Sequence, residues 1–129
     1  MLKPIEKLFI EEAEESFAHI FNNLSDLVDG KRKKEALTQI LADIHKIRSP
    51  AGFLGYQRLG KMAEMTELFL EQLLAAQGKW QTDREMNLLS DAISANHRIL
   101  MSIKKNGKEG HFDNKKVLGE IEKFLSVLP

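Results

Sequence analysis

Apolar residues recur every three or four positions along most of this chain, and no stretch alternates apolar with polar in the manner of a strand. That periodicity admits helices and little else. A first helix is expected from about Pro4 to Val28, with Phe9, Ala13, Phe17, Ile20, Leu24, Leu27 and Val28 on its apolar face. Proline suits a first turn, and Gly30 after Asp29 suits a C-terminal cap. After the basic connection Lys31 to Lys34, a second helix runs from about Lys33 to Gly52, with Leu37, Ile40, Leu41, Ile44 and Ile47 inward. Pro50 removes one backbone donor from it and crowds the carbonyl of Lys46, so a bend or a distorted last turn is expected there.

Gly55-Tyr56 reads as a turn. The third helix spans about Gln57 to Gln77, with Leu59, Met62, Ala63, Thr66, Phe69, Leu70 and Leu73 inward. Gly78 to Gln81 is a loop, and Thr82 with Glu85 has the spacing of a capping box. The fourth helix then continues to about Lys105 through Met86, Leu89, Ile93, Ile99 and Leu100. Asn106 to Asp113 is polar and glycine-bearing, and a shorter fifth helix covers about Asn114 to Val127. Long amphipathic helices with short connections fold most simply as an up-down-up-down four-helix bundle. The expected class is therefore all-α, with a bundle core from about residue 4 to 105 and the fifth helix packed along or across it.

A length of 129 residues fits one domain, 1–129, and suffices for a real core. The chain has no cysteine, which excludes disulfides and thiolate metal sites. No apolar run approaches the roughly 20 residues of a membrane span, and Met1 to Glu12 lacks the order of a signal peptide. A cytoplasmic location is expected, with no membrane partner. Formal net charge is zero, which argues against a nucleic-acid partner. The charge is uneven, however. Residues 1–30 hold two basic and seven acidic residues, whereas residues 31–60 hold seven basic and two acidic.

His45 stands in that basic segment, within Asp43-Ile44-His45-Lys46-Ile47-Arg48-Ser49-Pro50-Ala51-Gly52-Phe53-Leu54-Gly55-Tyr56. Arg48 follows three residues on and shares its helical face. Ser49 and Gly52 keep the next two turns low, which suits an imidazole that takes an anionic group and is then approached closely by a protein. His19 lies among core positions with no cation at i+3. His97 lacks a small-residue surface after it, and His111 falls in a loop.

This stretch is similar to the signature of histidine-containing phosphotransfer (HPt) domains: His-x-x-Lys-Gly, small residues, then glycine ten past the histidine. It looks most like the N-terminal phosphotransfer domain of CheA-type chemotaxis kinases. The likeness extends upstream to the acidic run Phe9 to Glu15 and downstream through Leu59 and Glu67, covering roughly Phe9 to Ile103.

The resemblance implies that His45 accepts a phosphoryl group from an ATP-bound histidine kinase catalytic domain, in the same protein or another. It would pass the group to an aspartate of a response-regulator receiver. Glu67 would orient the imidazole, and the two residues lie ten before and twelve after Gly55, so a hairpin brings them level. Arg48 matches the family lysine and would attract the phosphoryl charge. Ser49, Gly52, Gly55 and Glu64 would form the site surface and its surroundings. The chain departs from the family at Pro50, at Ser49 in place of a glycine, at Arg48 in place of lysine, and at Glu64 where some members carry a second histidine. Pro50, Ser49 and Glu64 favour an alternative, a non-catalytic helical interaction module that has lost transfer.

No metal and no cofactor is implied, and a monomer is expected. The chain has no glycine-rich phosphate loop, so it would be a phosphocarrier rather than an autonomous kinase. A di-iron bundle enzyme needs Glu-x-x-His pairs, and the nearest spacing, Glu15 to His19, is wrong. A serine or cysteine hydrolase has no motif here.

Overall fold

The fold is that of a computed structural model, which describes residues 2–76 and 83–127. Five helices follow in order: α1 (Pro4–Val28), α2 (Lys33–Phe53), α3 (Gln57–Ala75), α4 (Asp83–Asn106) and α5 (Lys115–Ser126). The helix α1 packs on α2 and α4, and α3 packs on α2 and α4, so the four long helices close a ring. The class is all-α, an antiparallel bundle with a fifth helix lying against α3 and α4. The expected loop Gly78 to Gln81, the capping residue Thr82 and the last residue given to the third helix, Gln77, lie outside the described residues.

Local chemistry sets the first two turns. Both α1 and α2 end in a glycine with positive φ, Gly30 at 74° and Gly55 at 84°. At the end of α2 the Tyr56 N–H donates to the Ala51 carbonyl (2.9 Å) and the Gly55 N–H to that of Gly52 (3.2 Å). This is the double closure of a Schellman cap, and Gly30 and Lys31 repeat it on Leu27 and Asp26. The left-handed position carries no Cβ penalty only for glycine. The helix α2 runs through Pro50 to Phe53 rather than stopping before it. The proline forfeits one bond near the helix end, and the Leu54 N–H still closes on the Pro50 carbonyl at 2.9 Å.

One apolar core fills the bundle, with Phe17, Ile20, Ile40, Ile44, Ile47, Leu59, Phe69, Leu70, Leu89 and Ile93 essentially without solvent contact. Val28 departs from the expected apolar face of α1 and is 67% exposed. Two polar residues within the core bond to each other, and Asn96 Oδ1 is left without a partner among the described residues. Asn96 of α4 donates to the Thr66 hydroxyl (2.9 Å), which donates to the Met62 carbonyl (2.7 Å). Buried polar groups of this kind fix the register of α3 on α4. At the end of the bundle shared by the start of α1 and the turn after α2, Tyr56 stacks on Phe9 and donates its hydroxyl to Glu6 at 2.5 Å.

Candidate functional site

The turn at Gly55 folds α3 back antiparallel to α2, and this places His45 and Glu67 level across the seam. Nδ1 of His45 lies 2.7 Å from Oε1 of Glu67. A carboxylate only accepts, so Nδ1 carries the hydrogen and donates it. In the neutral imidazole the other ring nitrogen, Nε2, then holds the lone pair, and it has no protein partner among the described residues. The imidazole is 61% exposed, whereas the Glu67 side chain is 8% exposed. A buried, fixed acceptor thus orients an accessible nucleophile.

Arg48, one turn beyond His45, places Nε 2.5 Å from the second Glu67 oxygen, Oε2. The nitrogen is shielded from solvent, but its N–H is not aligned with the oxygen, so the contact is a close ion pair rather than a directed hydrogen bond. The guanidinium is only partly covered, and its terminal nitrogens carry further donors. One carboxylate therefore bridges the histidine and the cation.

The remaining candidates separate into surface and scaffold. Ser49 and Gly52 are exposed on the His45 side of α2. A Cβ on Gly52 would meet nothing within 4 Å, so the fold itself does not require glycine there. Gly55 serves the turn: its φ of 84° closes the hairpin that aligns the site. Glu64 is exposed and pairs with Lys61 at 3.6 Å; it is joined to neither His45 nor Arg48.

The other histidines have different surroundings. His19 is exposed, with Nδ1 3.9 Å from the buried Asp43 carboxylate. His97 is wedged edge-on against Phe17 and Phe21, and burial holds it below the usual histidine range. His111 lies 3.2 Å from Arg58. Of the four histidines, only His45 meets a carboxylate of the described residues at hydrogen-bond distance.

Two structural features outside the site carry no local sequence signal. Glu109, in the loop after α4, accepts the Leu59 N–H at 2.7 Å and caps the first turn of α3, fifty residues away in sequence. Asp43 is buried on the α1 side of α2 between His19 and Lys46, each 3.9 Å distant. Its desolvated carboxyl is pushed above the usual aspartate value. Among the described residues no cluster of three or more His, Asp or Glu side chains fits a metal ion, and no helix is long and apolar enough to cross a membrane.

A family model of the FimL C-terminal domain matches residues 1–111, which include α1 to α4 and the whole of the His45 site. The chain belongs to that family. FimL C-terminal domains are a chemotaxis-like signalling family of pilus regulators. No curated protein and no solved structure matches the chain. Membership places the chain in a signalling family, and the matched residues include His45, Glu67 and Arg48.

Proposed function

We propose that this FimL-type domain is a histidine phosphocarrier. The observation that carries the reading is the 2.7 Å bond from His45 Nδ1 to a buried glutamate, which leaves Nε2 as a free, exposed lone pair. A neutral imidazole is a good nucleophile near neutral pH. In the first step Nε2 attacks the γ-phosphorus of ATP held by a histidine kinase catalytic domain. The N–P bond forms, the bond to the bridging oxygen breaks, and ADP leaves. In the second step an aspartate oxygen of a receiver domain attacks the same phosphorus, and the electron pair of the N–P bond returns to Nε2.

The neighbours suit both steps. Arg48 offers donors and positive charge to the phosphoryl oxygens. Ser49 and Gly52 leave room for a second protein to reach the phosphorus. Phe53, 85% exposed at the end of α2, with the exposed Ile5 and Leu8 near the start of α1, supplies apolar surface at the same end of the bundle. The occupants of this face are a kinase catalytic domain and then a receiver.

The test is labelling with radioactive ATP and a CheA-type catalytic fragment, for the native chain and His45→Gln. An acid-labile, base-stable label that disappears in the variant supports the carrier reading. Phosphorylated receivers supply the reverse test. If neither kinase nor phosphorylated receiver labels the folded native chain, the domain is an interaction module that keeps the bundle without transfer.

A further inference from the structure

A second face of α3 carries a groove that phosphotransfer leaves unused. It opens between the first turns of α3 and α5 and the loop that joins α4 to α5, with a volume of about 660 Å³. That lies within the range of small-molecule sites. Arg58 and Lys61 from α3 and Lys115 from α5 line it, against one acid, Asp113. Leu118 gives it apolar surface above the buried Met62, and Phe112 gives an aromatic edge that is 37% exposed. On α3, Arg58, Lys61 and Met62 are rotated by roughly 120–180° from Glu67, so the groove is separate from the His45 face.

The loop that forms its wall is fixed in place. Glu109 accepts from Leu59, Arg58 donates to the Gly110 carbonyl, and the Ser102 hydroxyl donates to the Lys108 carbonyl. Gly110 has φ 77°, and a Cβ there would fall 2.9 Å from Ser102 Oγ and 3.0 Å from the Phe112 ring. The Arg98 guanidinium sits 5.4 Å from the centre of that ring.

Within this wall, bonding capacity is left over. Lys115 makes no ion pair among the described residues. Arg58 has committed one terminal nitrogen to Gly110 and His111 and keeps the rest of its fork. Asn114 Oδ1 is shielded from solvent, accepts no hydrogen bond, and does not cap α5. A bare anion would meet the cations and leave Phe112 and Leu118 unused. An apolar ligand would leave the cations unused.

We propose that this groove binds a nucleotide. Its phosphate oxygens lie against Lys61, Lys115 and Arg58, and its base packs on Phe112 and Leu118. Side chains rather than a glycine-rich loop hold the phosphate, which is why no sequence signature announces the site. The N-terminal ends of α3 and α5 at the groove add positive potential.

The experiment is an NMR titration of the full chain with AMP, inorganic pyrophosphate and adenosine, with calorimetry for affinity. AMP is expected to shift the amides of Lys61, Phe112, Asn114 and Leu118. It should bind about tenfold or more tightly than pyrophosphate or adenosine alone. Lys61→Gln with Lys115→Gln, both exposed positions, should weaken AMP by about tenfold or more with helicity unchanged, and Phe112→Leu should erase the preference over pyrophosphate. Equal binding of pyrophosphate would reduce the groove to an anion patch and overturn the proposal. Shifts confined to the surroundings of His45, no shift at millimolar AMP, or saturation by an acidic peptide without AMP binding would each overturn it as well. None of these readouts depends on phosphorylation of His45.

Discussion

His45 and Glu67 are joined across the α2–α3 seam at 2.7 Å, and the oxygen of Glu67 that His45 does not use faces Arg48 at 2.5 Å. A carboxylate can serve two donors in this way because both of its ends accept. A glutamine cannot, since one of its two ends is an NH₂ group. In Glu67→Gln that group confronts either the Nδ1–H of His45 or the guanidinium of Arg48. Phosphorylation of His45 is expected to slow by roughly tenfold to a hundredfold, the order associated with loss of a group that orients a reactive histidine. The measurement is the initial labelling rate at saturating kinase fragment, with circular dichroism to confirm the fold. An unchanged rate would mean that Glu67 does not set the working tautomer.

The shared carboxylate also predicts coupling. With Arg48 shortened to alanine, the side-chain amide introduced by Glu67→Gln is free to turn its oxygen toward His45. Glu67→Gln should therefore cost several-fold less in an Arg48→Ala background than in the native one. A double-mutant cycle on labelling rates checks this, and residues in direct contact typically couple by about 0.5–3 kcal/mol. Additive effects would show that the two contacts are independent. Arg48→Lys should retain attraction for the phosphoryl group but lose the fork that serves Glu67 and phosphate together.

Much of this arrangement is legible in the sequence, for identifiable reasons. Pro4, Gly30 and Gly55 mark helix ends because a fixed φ or a left-handed turn is a local requirement. The alignment of His45 with Glu67 follows from counting residues on either side of Gly55, given the resemblance that singles out the glutamate. Other features are not local. Periodicity assigns both Leu27 and Val28 to a face but does not show that Leu27 alone meets the core there. Asn96 reads as a polar interruption until α3 brings Thr66 to it. Glu109 caps α3 only because the loop after α4 returns to the start of that helix. The burial of Asp43 depends on how closely α1 approaches α2.

Asp43 gives a stability prediction whose sign is unusual for an aspartate. Burial raises its carboxyl above the ordinary value of 3.8, and Lys46 and His19 offset this only in part. Between 3.8 and the raised value the folded chain holds more protons than the unfolded one. Its contribution to stability is therefore complete below the ordinary value and declines as pH rises through the raised one. Asp43→Asn removes that titration. The variant should be more stable than the native chain near pH 7, and the gain should shrink toward pH 4. Burial of His97 acts in the opposite sense: its folded value lies below 6.5, so stability declines as pH falls from that value. Comparing urea midpoints of the native chain and the variant at each pH cancels His97 and isolates Asp43. A difference that is flat with pH would refute the assignment.

Gly52 separates the demands of the fold from those of the proposed docking surface. It lies inside α2, has no positive φ, and would bring an added Cβ within 4 Å of nothing. Alanine there should stabilise the chain by up to about 0.5 kcal/mol, since glycine costs roughly 0.5–1 kcal/mol of backbone entropy in a helix interior and less in a last turn. Gly119 in α5 has the same empty surroundings and serves as a control. Both alanine variants should raise the melting midpoint, but only Gly52→Ala adds a methyl group beside the approach to His45. Overpacking a close interface costs about 1–3 kcal/mol, so transfer from phosphorylated His45 to a receiver should fall by roughly tenfold in Gly52→Ala and stay unchanged in Gly119→Ala. If both variants transfer at the native rate, the receiver does not pack against this turn of α2, and the low surface beyond His45 has another use.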